Sequence, residues 1–146
     1  MDRTHFNLIY LTRNSKGVEV FKDAEMKAME VQETARAEAQ QRKRVARRGQ
    51  TELFGSKELH DSSHYESLRD RYLVKTRGLV LQGLESKRRL LYDDAWTLAL
   101  SEPMSWESDL KEWIEEWKQA GRLEIVGMQP RQRVPHRNEN NYLVWK

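Results

Sequence analysis

The residue types that carry out chemistry are few in this sequence, and their spacing does not gather them. Histidine occurs at His5, His60, His64 and His136. His60 and His64 stand four apart with Asp61 between them, the spacing that puts two metal ligands on one helix face. Gly55, Ser62 and Ser63 read as loop rather than helix, and no third ligand is near in sequence, so a metal centre is not expected. Asp93 and Asp94 are adjacent, and adjacent side chains on a helix point about 100° apart, so the two carboxylates do not converge. Their expected role is to cap a helix. The chain has no cysteine, which excludes zinc ribbons, disulfide frameworks and thiol nucleophiles. Gly78, Gly83 and Gly121 match neither the dinucleotide fingerprint nor a Walker loop, and no Gly-x-Ser-x-Gly occurs. The residues point to no catalytic site, no metal and no cofactor.

What the sequence does concentrate is positive charge. The net charge is +3, but Ala35 to Arg48 holds six basic residues against Glu38. That segment is +5, and the remainder is −2. Arg42, Lys43, Arg44, Arg47 and Arg48 crowd its end, and charge of one sign at that density is the footprint of a nucleic-acid contact. The competing reading is a solvated helix. A second group, Arg131, Arg133, His136 and Arg137 with Gln132 and Asn138, falls in a stretch from Gly127 to Asn141 that reads as a mobile loop. Such a loop suits contact with the DNA backbone or the minor groove. Lys87, Arg88 and Arg89 offer a further patch. Of the tryptophans, Trp96, Trp113, Trp117 and Trp145 lie in apolar stretches and are expected in a core. Trp106, at a helix start, is expected to be exposed and able to stack on a base.

These residues need elements to hold them. Residues 5–12 read as one apolar strand, continuous over Leu8 to Leu11. A turn at Asn14–Gly17 leads into a helix from about Val18, with Phe21, Ala24, Ala28, Val31 and Ala35 as one apolar stripe. Gly49 ends that helix near Arg48. Residues 49–64 read as a linker. From Tyr65 the spacing gives a helix through Leu84, with Gly78 and Gly83 as points of bending or splitting. A short strand at Leu90–Tyr92 follows, then a helix capped by Asp93 or Asp94, then a helix from Trp106 to Ala120 with Ser105 as its N-cap. Leu123–Val126 and Tyr142–Trp145 are closing strands. The fold class expected is mostly α with a small β-hairpin, α+β: a winged helix-turn-helix over 65–146, preceded by a strand and a long basic helix over 1–48. In an ordinary winged helix the third helix reads the major groove. Here Glu107, Asp109, Glu112, Glu115 and Glu116 outnumber Lys111 and Lys118, a net −3 that phosphates repel.

The segment from Ser108-Asp109-Leu110 through Gly121-Arg122-Leu123, with Arg131-Gln132-Arg133-Val134-Pro135, resembles the C-terminal winged helix of three-Cys-motif partner (TcmP) proteins. The stretch from Leu8 to Gly17, followed by Phe21-Lys22-Asp23-Ala24, resembles the last strand and helix of that family's Rossmann-like domain. The resemblance implies a place in bacterial mobile or antiviral defence gene clusters, and the family's larger N-terminal domain has no counterpart here. A lone apolar strand leaves both edges unpaired, so Phe6, Leu8 and Tyr10, with Phe21, are expected to meet a protein partner or a second copy of the chain. Two expectations follow. One is a non-catalytic protein binding DNA through its basic loop and basic helix. The other is a protein–protein interaction subunit docking onto a larger, Rossmann-like partner. No stretch approaches the ~20 apolar residues of a membrane span, and a signal peptide's cleavage site is lacking, so a soluble, cytoplasmic protein is expected.

Overall fold

Asn14 starts the first helix: its backbone is extended, and its side-chain oxygen accepts from the Lys16 N–H at 2.9 Å. Helix α1 then runs unbroken over Ser15–Arg48 and ends at Gly49, whose φ of 66° lets its N–H reach the Val45 carbonyl. The computed structural model describes residue 12, residues 14–49 and residues 61–146. The expected strand lies outside the described residues except for Thr12, which is exposed and not in a strand.

The sequence stripe faces inward only at its start, where Phe21 is half-buried and Ala24 and Ala28 border a groove against Leu100 and Pro103. Ala24, Ala28, Val31 and Ala35 are exposed, Val31 at 70%. Lys22 and Ala37 are the buried residues of α1. The burial of Lys22 has a local cause. The Lys22 ammonium donates to the Glu102 carbonyl at 2.6 Å and to the Glu25 carboxylate at 2.9 Å, so its aliphatic stem enters the interior with the charge satisfied.

Helix α2 covers Ser63–Lys87, starting two residues before the expected Tyr65 and passing through Gly78 and Gly83 without a break. Gly83 fits because the Leu98 side chain comes so close that a Cβ would stand 3.0 Å from it. Strand β1 (Arg89–Leu91), helix α3 (Tyr92–Leu100), helix α4 (Glu107–Gln119), strand β2 (Leu123–Val126) and strand β3 (Tyr142–Trp145) follow. The three strands form one antiparallel sheet in the order β1-β3-β2, with Leu90 opposite Leu143 and Ile125 opposite Leu143 on its other side. Two capping expectations are corrected. Leu91 precedes α3, which puts Asp93 and Asp94 in its first turn. Trp106, not Ser105, precedes α4, and its N–H is held by the Asp109 carboxylate at 2.8 Å.

The core lies between α2, α3, α4 and the sheet. It holds Val80, Leu84, Leu90, Tyr92, Trp96, Leu110, Trp113, Ile114, Trp117 and Leu143, and Val18 of α1 packs against it. Trp96, Trp113 and Trp117 are buried as expected, and Trp145 is half-buried, edge-on to Trp117 at 5.7 Å. The architecture is mostly helical with a small antiparallel sheet, an α+β arrangement. No helix among the described residues is long and apolar enough to cross a membrane.

Candidate nucleic-acid interface

Three groups of cations reach the surface, each delivered by a different element. The first is the end of α1. Arg42, Lys43, Arg47 and Arg48 are exposed, and Arg44 is half-buried. Arg42 stands 3.8 Å from Glu38, a solvent-exposed pair of small energetic weight. The start of α2 closes against this end through the Asp61 N–H, which donates to Gln40 Oε1 at 3.1 Å.

The second group is on the β2–β3 loop, and this loop is built rather than merely solvated. Asn141 is fully buried: its side-chain oxygen accepts from Gln132 and from the His136 N–H, each at 2.8 Å. Its amide donates to the Gly127 carbonyl at 2.9 Å. Pro135 is buried beside it. This network turns Arg131, Arg133 and His136 outward, where they are exposed. Arg137 turns inward, against the sequence expectation. Its guanidinium lies 3.9 Å from the Trp96 ring centroid, pairs with Glu19 of α1 and stands 3.5 Å from Asp93 of α3. Asp93 also accepts from the Asn138 N–H at 3.1 Å. With two carboxylates and an aromatic face on it, Arg137 is a fastener for the loop and has no charge to spare for phosphate.

The third group is at the opposite end of the sheet. Lys87, Arg88 and Arg89 are exposed, with the Arg89 guanidinium 4.1 Å from the Tyr142 ring. Strand pairing brings two further cations there. The Trp145 N–H donates to the Arg88 carbonyl at 2.8 Å and the Lys146 N–H to the Arg122 carbonyl at 2.9 Å, so Arg88, Lys146 and Arg122 form a row across the strand ends. Arg122 and Lys146 were not singled out from sequence. Only the β2–β3 register places them beside Arg88.

Trp106 is corrected. It is half-buried, its indole N–H is enclosed, and Arg69 covers its ring at 4.6 Å. Its indole N–H and the face under Arg69 are closed to a base. The acidity of α4 is also less bare than its sequence. Asp109 pairs with Arg69 at 2.6 Å and Glu116 with Arg77, both arginines from α2. Glu107 pairs with Lys111 at 2.8 Å and Glu115 with Lys118 at 3.3 Å. Glu107 also accepts from the Tyr92 hydroxyl at 3.1 Å and the Trp96 indole at 3.2 Å. Burial alone would raise the Glu107 carboxyl, but Lys111 and these two donors outweigh it and hold the group below its ordinary value. Burial first, and then Glu107, pushes the Tyr92 phenol far above its ordinary range. Tyr92, Trp96 and Glu107 thus form one hydrogen-bonded network joining α3 to the start of α4.

Phe6, Leu8, Tyr10 and His60 lie outside the described residues. Phe21 is half-buried and lines an apolar groove with Val18, Ala24, Ala28, Leu100 and Pro103. No group of three or more His, Asp or Glu side chains placed to hold a metal occurs among the described residues. No family model, no curated protein and no solved structure matches the chain.

Proposed function

We propose that the protein is a non-catalytic, winged-helix type DNA-binding protein that grips the duplex backbone through the end of α1 and the β2–β3 loop. The observation that carries this reading is the one-signed end of α1, where Arg42, Lys43, Arg47 and Arg48 all face solvent. Phosphate neutralisation by such cations supplies sequence-independent affinity. The element order helix, strand, helix, helix, strand, strand, with strand order β1-β3-β2, supports the winged-helix part, and it makes the loop carrying Arg131, Arg133 and His136 the wing. In α4, the helix that would enter the groove, four of the five carboxylates are already engaged with cations. Base reading by that helix would have to break those pairs, so backbone contact is favoured over groove readout.

The test is a salt titration of binding to labelled random-sequence duplex. Wild type should bind at low salt and weaken with a log–log slope near −0.9 per neutralised phosphate. The variant R42E/K43E/R47E/R48E should lose at least about tenfold in affinity at low salt, with an unchanged melting curve because these side chains are exposed. No binding by wild type at low salt overturns the reading.

A second reading rests on the groove around Phe21 and on exposed Val31: an interaction subunit docking a larger partner, in keeping with the resemblance to three-Cys-motif partner proteins. It predicts co-purification of a protein that survives nuclease treatment.

A further inference from the structure

We propose that the loop and the basic end of α1 hold one DNA duplex at two points about one helical turn apart, with α1 as the rigid spacer. The proposal rests on the nucleic-acid reading above and adds the geometry of the complex.

The loop is not free to wander along α1. Arg137 pairs with Glu19 in the first turns of that helix, and Asp93 holds both Arg137 and the Asn138 N–H. His136 adjoins Arg137, and its own N–H is fixed to buried Asn141. His136 is therefore held near Glu19, and Arg133 and Arg131 lie on the same loop, four and six residues before Arg137. From Glu19 to Arg42 the helix climbs about 35 Å, and to Arg48 about 44 Å, at 1.5 Å per residue. B-DNA presents the same groove on the same face every ~34–36 Å. Contacts half a turn apart would meet opposite faces of the duplex, whereas contacts a full turn apart meet one face.

The spacer is suited to the task. Helix α1 is continuous over Ser15–Arg48, and between Glu19 and Arg48 it contains neither proline nor glycine. Its charge argues for two separate grips rather than a continuous track. Glu19, Asp23, Glu25, Glu30 and Glu33 outnumber Lys16, Lys22 and Lys27 before residue 35, and the +5 segment begins only after them. A phosphate chain following the whole helix would meet a net negative stretch. A duplex touched at the loop and at Arg42–Arg48 meets cations at both points.

The test compares the full chain on GC-rich duplexes of about 8 and about 16 base pairs, measured in the cold across a salt series. At ~3.4 Å per base pair the shorter duplex spans roughly 27 Å and reaches one grip only, while the longer spans both. Wild type should bind the longer duplex at least about tenfold more tightly. Its salt slope should also be steeper by about 0.9 for each phosphate added at the second grip, a quantity that extra binding registers do not change. The variant R42E/K43E/R47E/R48E should show one slope on both lengths. Equal wild-type slopes on the two duplexes overturn the spacer and leave the DNA-binding reading intact. Failure to bind either duplex at low salt overturns both.

Discussion

Arg137 lies between the carboxylates of Glu19 and Asp93 with its guanidinium on the Trp96 ring, and its side chain is 12% exposed. Truncation in Arg137→Ala removes the cation from two acids and an aromatic face. Because both acids keep partial access to water, we expect a loss of about 1–3 kcal/mol rather than the larger cost of a fully buried pair. Urea denaturation measures it, and a change below ~0.5 kcal/mol would show that the fastener carries no weight. Glu107 gives a prediction in pH. Its carboxyl is held below the ordinary 4.5, so its stabilisation is present above that value and is lost as pH falls through the lower folded value. Glu107→Gln should flatten this part of the acid limb of a stability–pH curve, and an unchanged limb would count against the network. Little of this was legible beforehand. The sequence shows the sign of Arg137, but the partner that consumes its charge stands 118 positions away, and only the fold brings Glu19 to it. Trp106 differs from its sequence expectation for the same reason: Arg69, which lies over its ring, comes from another helix.

Element boundaries were far more readable than element faces. The Gly49 stop and the three strands of the sheet follow from a cap and apolar runs that act within a few residues, whereas Ser15–Gly17, expected in a turn before a helix from about Val18, form the first turn of α1 behind the Asn14 cap. The inward face of α1 did not follow, because periodicity counts apolar residues and has no way to anticipate that Glu25 and the Glu102 carbonyl would satisfy Lys22. The glycines show the same division between local and tertiary causes. Gly78 lies within α2 with no atom near a new Cβ, so Gly78→Ala should stabilise by about 0.5–1 kcal/mol through helix propensity alone. Gly127 opens the β2–β3 loop with φ at 87°, and a Cβ there would stand 2.7 Å from the Asn140 carbonyl oxygen. Gly127→Ala should destabilise by roughly 1–3 kcal/mol through strain and that clash. Denaturation midpoints should therefore move in opposite directions for the two alanines. A shared direction would mean that the loop's backbone tolerates a side chain there.

The molecule divides unevenly between its halves. Every buried member of the main hydrophobic cluster lies between Val80 and Leu143, with Val18 of α1 at its margin and Ala37 of α1 buried outside it. Among the described residues α1 also makes polar links: the Lys22 bond to the Glu102 carbonyl, the Glu25 bond to the Met104 N–H at 3.3 Å, the Glu19 pair with Arg137 and the Gln40 bond to the Asp61 N–H. These polar links are few beside the cluster of buried aromatic and aliphatic side chains between Val80 and Leu143 that holds the C-terminal unit together. Residues 61–146 alone should therefore fold and melt in one cooperative step, at a lower temperature than the full chain. All five tryptophans lie in that unit, so their fluorescence reports the transition directly. Residues 12–49 alone should be partly helical and melt broadly, because a helix without a packed face has little cooperativity. The comparison also bears on DNA binding. If 61–146 melts cooperatively, it retains Arg131, Arg133 and His136 on a folded loop without the α1 cations, and its salt slope should be the same on the shorter and the longer duplex. A broad melt of 61–146 with solvent-exposed tryptophan emission would instead mean that α1 is integral to the core, and that its polar anchors count for more than their number implies.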